Sequence, residues 1–365
     1  MKKLIALLLS FTMMSAVMAG CGNEVPETTG TSVTVSPDIF TEPPKLPNHA
    51  PAETIGSRPE TGGVSHGFGS DLPHNERGRY LVYEGGELHI QYKLNATGDC
   101  RNFDIGLFLF LDGQPQPYKT AETDTYSYMH TFRSTSDSIV ELIFTPVTGE
   151  AGETLELYGM FLLNPGYYPG DPTGPFQTMG SSSVSTQLIY EATPDPLELP
   201  DIPQRAVTQT VQYEDLSASE IAGWSSEDLE LGWKYTLKVN GSDSGVYSYN
   251  IENDSLLRLR LEIWGNPYTQ YGIVFFIDHT PVTVDPNQMA FVSTPNGKKA
   301  VVEAEIDMSD FEGETVVFAA VVTRNFFEYI DALPYTEFSK TYYLTSCSTF
   351  EDMIAQHEEG KNKEP

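Results

Sequence analysis

Seven histidines, His49, His66, His74, His89, His130, His279 and His357, are the side chains with which this chain could bind zinc or move protons near neutral pH. None falls in a His-Glu-x-x-His segment or in a pair at metal-ligand spacing. His49, His66 and His74 belong to a proline-rich N-terminal stretch or its end. His89 lies on the polar side of an alternating run, and His130 closes Tyr126-Ser127-Tyr128-Met129. Each reads as an ordinary polar side chain. Ser181-Ser182-Ser183 follows Gly180, but the Gly-x-Ser-x-Gly of a nucleophile elbow is missing and no α/β-hydrolase pattern surrounds it. Carboxylates are abundant enough to cluster by chance. Asp99, Asp104 and Asp112 flank one loop, and Asp243 and Asp254 accompany Asn250 and Asn253 in another, yet no Asp-x-Asp-x-Asp-Gly loop for calcium occurs. A glycosidase needs two carboxylates converging in a cleft, which spacing leaves open. The reading is of no metal, no cofactor and no catalytic constellation.

The residues that could bind something are aromatic. Asn164-Pro165-Gly166-Tyr167-Tyr168-Pro169 and Asn325-Phe326-Phe327-Glu328-Tyr329 each follow an apolar run. Rings on the end loops of a β-sandwich can stack on sugars or anchor a protein partner, so Tyr167, Tyr168, Phe326, Phe327 and Tyr329 are the candidate ligand-binding residues. The alternative is that these rings fold back as a lid over the sheet edge.

The elements that would carry those loops are strands, and they come twice. Gly106-Leu107-Phe108-Leu109-Phe110-Leu111-Asp112-Gly113 returns as Gly272-Ile273-Val274-Phe275-Phe276-Ile277-Asp278-His279. Gly152-Glu153-Thr154-Leu155-Glu156-Leu157 returns as Gly313-Glu314-Thr315-Val316-Val317-Phe318, and both continue to an asparagine, Asn164 and Asn325. The second match is closer by five residues, so the copies differ by a short indel. Leu107–Leu111 is apolar on both faces, as a central strand is. Leu88–Leu94 and Leu256–Ile263 alternate, with Arg258, Arg260 and Glu262 outward. Ile139–Phe144 and Val301–Ile306 repeat the pattern. With 12% aromatics, 30 Gly and 25 Pro, the expectation is an all-β chain. It should form two tandem antiparallel immunoglobulin-like β-sandwich domains, without the Cys-Trp-Cys core of antibody domains. They are expected over 76–193 and 205–346, joined by a stiff linker over 194–204 from Pro194 to Pro203. A short helix capped by Ser348 and Glu351 and a frayed tail complete 347–365.

The N-terminus supplies an address. Lys2 and Lys3 precede an apolar run from Leu4 to Met14, shorter than the ~20 residues that span a bilayer, and then Met18-Ala19-Gly20-Cys21. This segment resembles the signal peptide and lipobox of bacterial lipoproteins. The resemblance implies cleavage of residues 1–20 and a diacylglycerol on the Cys21 thiol, with a membrane-anchored chain on the extracytoplasmic face. Met18 departs from the commoner Leu. Two acyl chains give stable anchoring at ~0.8 kcal/mol per buried methylene. Residues 21–75, with runs such as Thr41-Glu42-Pro43-Pro44 and few apolar residues, read as a disordered stalk of about 40 Å coil span. Cys100 and Cys347, the other two cysteines, read as separate thiols, although the compartment permits a bridge.

A net charge of −30 excludes a protein built to grip nucleic acid. The plan resembles surface lipoproteins of low-GC Gram-positive bacteria, which implies a non-catalytic binding or scaffolding role at the cell envelope, with a glycan or an envelope protein as partner. The rival readings are a carbohydrate-binding pair using the loop aromatics and an extracellular hydrolase.

Overall fold

The computed structural model describes residues 62–345 apart from 134–136, 167–182, 201–205, 223, 225–232, 242–247, 251–254, 268, 283–289, 310, 312–313, 325–336 and 340–341. The first half runs β1 (Gly62–Phe68), β2 (His74–Asn75), β3 (Gly78–Tyr83), β4 (Leu88–Gly98), a 3-10 turn (Asp99–Asn102), β5 (Asp104–Leu111) and β6 (Gln114–Gln116). It continues through β7 (Lys119–Thr120), β8 (Met129–Arg133), β9 (Ser138–Phe144), β10 (Thr154–Leu163) and β11 (Ser183–Tyr190). The second half runs β12 (Ala206–Asp215), β13 (Trp233–Val239), β14 (Ser248–Asn250), β15 (Leu256–Gly265), β16 (Gln270–Ile277) and β17 (Thr280–Val282). It ends with β18 (Ala290–Ser293), β19 (Lys298–Asp307), β20 (Glu314–Arg324), β21 (Glu337–Phe338) and β22 (Tyr342–Thr345). Among the described residues no α-helix occurs.

One sheet of the first half has the order β1-β4-β9-β7, and the other runs β2-β3-β11-β10-β5-β6 with β8 also on β5. These are the ABED and GFC orders of an immunoglobulin-like sandwich. The second half gives β12-β19-β15-β13 and β14-β22-β20-β16-β17, with β18 on β16 and β21 on β20. Strand for strand, β13 through β20 and β22 repeat the neighbours of β1, β3 through β6 and β8 through β11. Even the parallel pairing of β3 with β11 recurs in β14 with β22. Among the described residues β12 and β21 stand outside this match, β12 at the edge of β19 that corresponds to the place of β7 and β21 on β20. The fold is all-β and immunoglobulin-like, as the alternating runs led us to expect.

Three details depart from the sequence reading. The stalk assigned through residue 75 ends earlier, because Gly62–Phe68 pairs along its whole length with β4. Val64 and Phe68 point into the core, but the glycines between them hide the alternation, and His66 is a strand residue against Tyr92 and Phe161. Asp104 and Asp112 do not share a loop with Asp99, since they bound the two ends of β5. The register also corrects the match between copies. Leu157 pairs with Leu111 and Val317 with Ile277, so β10 and β20 align Leu157 with Val317, Glu156 with Val316 and Asn164 with Arg324. The indel is six residues, not five. The Gly-Glu-Thr turn is one residue out of step with the strand that follows it. In a β-strand such a slip exchanges the two faces.

Leu107–Leu111 is buried on both faces, but not by one sandwich. Ile105, Leu107, Leu109 and Leu111 fill the core of the first half, while Ile273, Phe275 and Ile277 fill that of the second. Phe108 and Phe110 point the other way, into a third cluster shared with Val274, Phe276, Phe318 and Phe338. Phe108 meets Phe276 edge-on at 5.3 Å between centroids and Phe338 at 5.2 Å. The two β5/β10 and β16/β20 faces thus pack against each other in an apolar seam. Burial of five phenylalanines at roughly 2 kcal/mol each gives a gross drive on the order of 10 kcal/mol for holding the halves together.

Candidate functional site

The aromatic residues Tyr167, Tyr168, Phe326, Phe327 and Tyr329 lie outside the described residues, as do Cys21 and Cys347, whereas Cys100 is buried. The strand ends from which their loops leave are described. Asn164, at the end of β10, takes a left-handed φ of 48°. Its amide donates to the Asp104 carbonyl at 2.7 Å, and its side-chain oxygen accepts from the Asp104 amide at 3.2 Å. Arg133 then pairs with the Asp104 carboxylate at 3.0 Å. This knot fixes the root of the first loop at the Asp104 end of β5.

The root of the second loop is elsewhere. Arg324, the last residue of β20, crosses the seam and donates from Nε to Asp112 Oδ2 at 2.7 Å. Its guanidinium lies 4.3 Å from the centre of the Phe291 ring. Asp112 is at the opposite end of β5 from Asp104, eight positions on, or about 26 Å at ~3.3 Å per residue. The two aromatic loops therefore start a strand length apart.

Beside Arg324 the seam opens into a groove of about 400 Å³, lined by Asp112, Glu150, Glu153, Leu155 and Arg324 with Thr148 and Gly149. The groups here are largely spent on each other. Asp112 is buried and ion-paired, Glu153 accepts from the Glu150 amide at 2.8 Å, and the Thr148 carbonyl accepts from the Tyr190 hydroxyl at 2.8 Å. Behind the groove, Asp112 donates its amide to the carbonyl of Glu156 at 3.0 Å. The Glu156 side chain is 5% exposed, and burial pushes its carboxyl up to about 7, offset only in part by the Ser185 hydroxyl. Among the described residues no three metal-ligating side chains converge here or elsewhere.

The densest set of charges lies on the outer face of the β12-β19-β15-β13 sheet. Glu262, expected to point outward, does leave the core but is buried by its partners. It accepts from Lys238 and Arg260 at 2.7 Å and from Lys299 at 3.0 Å. Lys299 also reaches Glu220 at 2.7 Å, and Arg260 reaches Glu214 at 2.7 Å and Glu303 at 2.6 Å. Glu220, five residues beyond the end of β12, ties the chain there to this face. Ser217 donates its amide and hydroxyl to Glu220 at 2.8 and 2.6 Å. Sequence reading missed this cluster, since its members are remote along the chain. It missed Arg324 because the asparagine match drew attention one residue downstream.

No protein-family model matches the chain, and no curated protein matches it. Among solved structures, the chain is similar to the C-terminal domain of the AgI/II polypeptide BspA of Streptococcus agalactiae, at 8% identity and a TM-score of 0.21 over 78% of this chain and 100% of that one. It is also similar to the Salmonella enterica SafA pilin in complex with its SafB chaperone, at 11% identity and 0.21 over 77% and 95%. A third likeness is to the N-terminal Ig1-2 module of the Drosophila receptor protein tyrosine phosphatase DLAR, at 13% identity and 0.19 over 78% and 97%. Likenesses this distant say nothing of what the chain does. The fold assignment rests on the strand order itself.

Proposed function

We propose that this chain is a lipid-anchored protein of the extracytoplasmic face that presents two joined immunoglobulin-like modules and works by binding or scaffolding rather than by catalysis. The observation that carries the reading is the apolar seam: it spends the β5/β10 and β16/β20 faces on each other and makes one thick body from two sandwiches. Such a body suits display at the end of a tether. The Met18-Ala19-Gly20-Cys21 segment supplies the anchor, the polar stretch before Gly62 supplies the tether, and the charge of −30 argues against nucleic acid as partner. A glycan or an envelope protein fits the loop aromatics. With roots a strand length apart, each loop would engage its partner separately rather than as one platform.

The anchor is tested by expressing the full chain in a bacterium that processes lipoproteins, with labelled palmitate. The wild type is expected to take up label and enter the detergent phase on phase separation. Cys21→Ala is expected to carry no label and stay in the aqueous phase. An unlabelled wild type, or a labelled Cys21→Ala, removes the anchor from this reading.

A further inference from the structure

At the end of the seam marked by Asp112 lies a carboxyl group that packing does not require. Glu156 lies on the same face of β10 as Tyr158, Met160 and Leu162, all members of the seam cluster. The register places Val316 at the matching position of β20, buried in the same cluster. One half of the molecule thus fills this position with a hydrocarbon and the other with an acid. Glu156 Oε2 is buried and has no hydrogen-bond partner among the described residues.

The surroundings decide what ionisation would do. Asp112, at the end of β5, donates its amide to the Glu156 carbonyl and lines the neighbouring groove with Arg324 on β20 and with Glu150 and Glu153 on the turn before β10. From β11 come Ser185, which hydrogen-bonds the carboxyl, and Gln187, directly opposite in register. Arg324, the cation of that groove among the described residues, is already matched by Asp112 at 2.7 Å. An ionised Glu156 would be a buried charge with no cation paired to it among the described residues, the arrangement that low-dielectric packing tolerates least.

We propose that Glu156 is a proton-operated latch on the seam: with its carboxyl protonated the two halves are held more firmly, and with it ionised they part more readily while each sandwich remains folded. The direction follows from burial, which raises this group from 4.5 to about 7. The locked state then holds more protons than the parted one between those values, so cohesion is greatest on the acid side. It declines as pH rises from about 4.5 and is spent above 7.

The test uses the full chain with one reporter thiol, Ala320→Cys on the seam face of β20 or Ala319→Cys on the core face of the same strand, both fully buried. Labelling by a thiol reagent is measured from pH 5.5 to 8.5 in the native background and in Glu156→Gln. Taking the ratio cancels the reagent's own pH dependence, and the unmodified chain supplies the background from native cysteines. For Ala320→Cys the ratio is expected to rise with pH by tenfold or more, up to about thirtyfold, the limit that the shift sets over this interval. For Ala319→Cys it is expected to stay flat. Glu156→Val, which installs the residue found at 316, serves as a second reference should Glu156→Gln fold poorly. A flat ratio at Ala320→Cys overturns the latch. So does an equal rise at both sites, which would mean that ionisation unfolds the sandwich instead of parting the seam.

Discussion

Replacing Gly272 by alanine is expected to destabilise the protein by about 3 kcal/mol, while the same change at its counterpart Gly106 costs under about 1.5 kcal/mol. Both glycines occupy the same position in matching strands, β16 and β5. A methyl group at Gly272 would overlap the Gly113 carbonyl and come within 2.8 Å of its Cα, so backbone meets backbone across the seam. Gly113 has little room to yield, since it is the second residue of a two-residue hairpin turn in which both φ angles are positive. Moving the hairpin away would also pull Asp112 from Arg324. A methyl at Gly106 instead meets the Met129 sulfur at 2.6 Å and Pro165 carbons at 3.2 Å. A thioether with three rotatable bonds can swing aside. Urea unfolding of the two variants checks the asymmetry, with midpoints compared at unchanged slope. Equal losses at the two positions would mean that the hairpin contact is not what closes this end of the seam.

That asymmetry explains what could and could not be seen in the sequence. The strand class was legible because alternation at Leu88–Leu94 and Leu256–Ile263 reflects an apolar core on one side and polar residues on the other, a local property of each strand. The apolar run at Leu107–Leu111 correctly announced burial on both faces. What buries the second face is a strand some 166 residues away, and no local pattern carries that pairing. Turn chemistry misled where it was most conspicuous. Gly-Glu-Thr recurs, yet the apolar faces set the register, and they place Asn164 opposite Arg324 in the comparison of copies. The candidate aromatics were chosen because they follow that asparagine. Their shared place in the sequence put each set on the end loops of its own sandwich, and the Asp112–Arg324 contact sets the two roots apart by the length of β5. Glu262 was read as solvent-facing because alternation reports only the core side of a sheet. The cations that gather on it from β13 and β19, with Glu220 reaching Lys299 from beyond β12, leave no trace in the strand itself.

Glu262→Ala is expected to cost about 3–5 kcal/mol at pH 7, the range found when one partner is taken from a buried ion pair. Its side chain is 5% exposed and serves three cations, of which Lys299 is 10% exposed. Without the carboxylate, Lys238, Arg260 and Lys299 face one another on a covered surface. Glu214, Glu220 and Glu303 remain, but they already hold Arg260 and Lys299 from the far side. The exposed pair Arg258–Glu305, on the same face at 3.3 Å, provides the contrast, and Glu305→Ala is expected to cost under about 1 kcal/mol. The pH dependence separates charge from packing. Burial pushes Glu262 up, but hydrogen bonds from Lys238, Arg260 and Lys299 outweigh it and hold the carboxyl down to about 2. Hydrogen bonds from Lys299 and from the Ser217 hydroxyl and amide hold Glu220 at about 2 as well. Groups lowered in the folded state stabilise fully above their unfolded value of 4.5, and that contribution is lost as pH falls through 2. The urea midpoints of wild type and Glu262→Ala should therefore draw together between pH 4.5 and 2. A gap that stays constant over that interval would assign the loss to the missing side-chain volume and not to its charge.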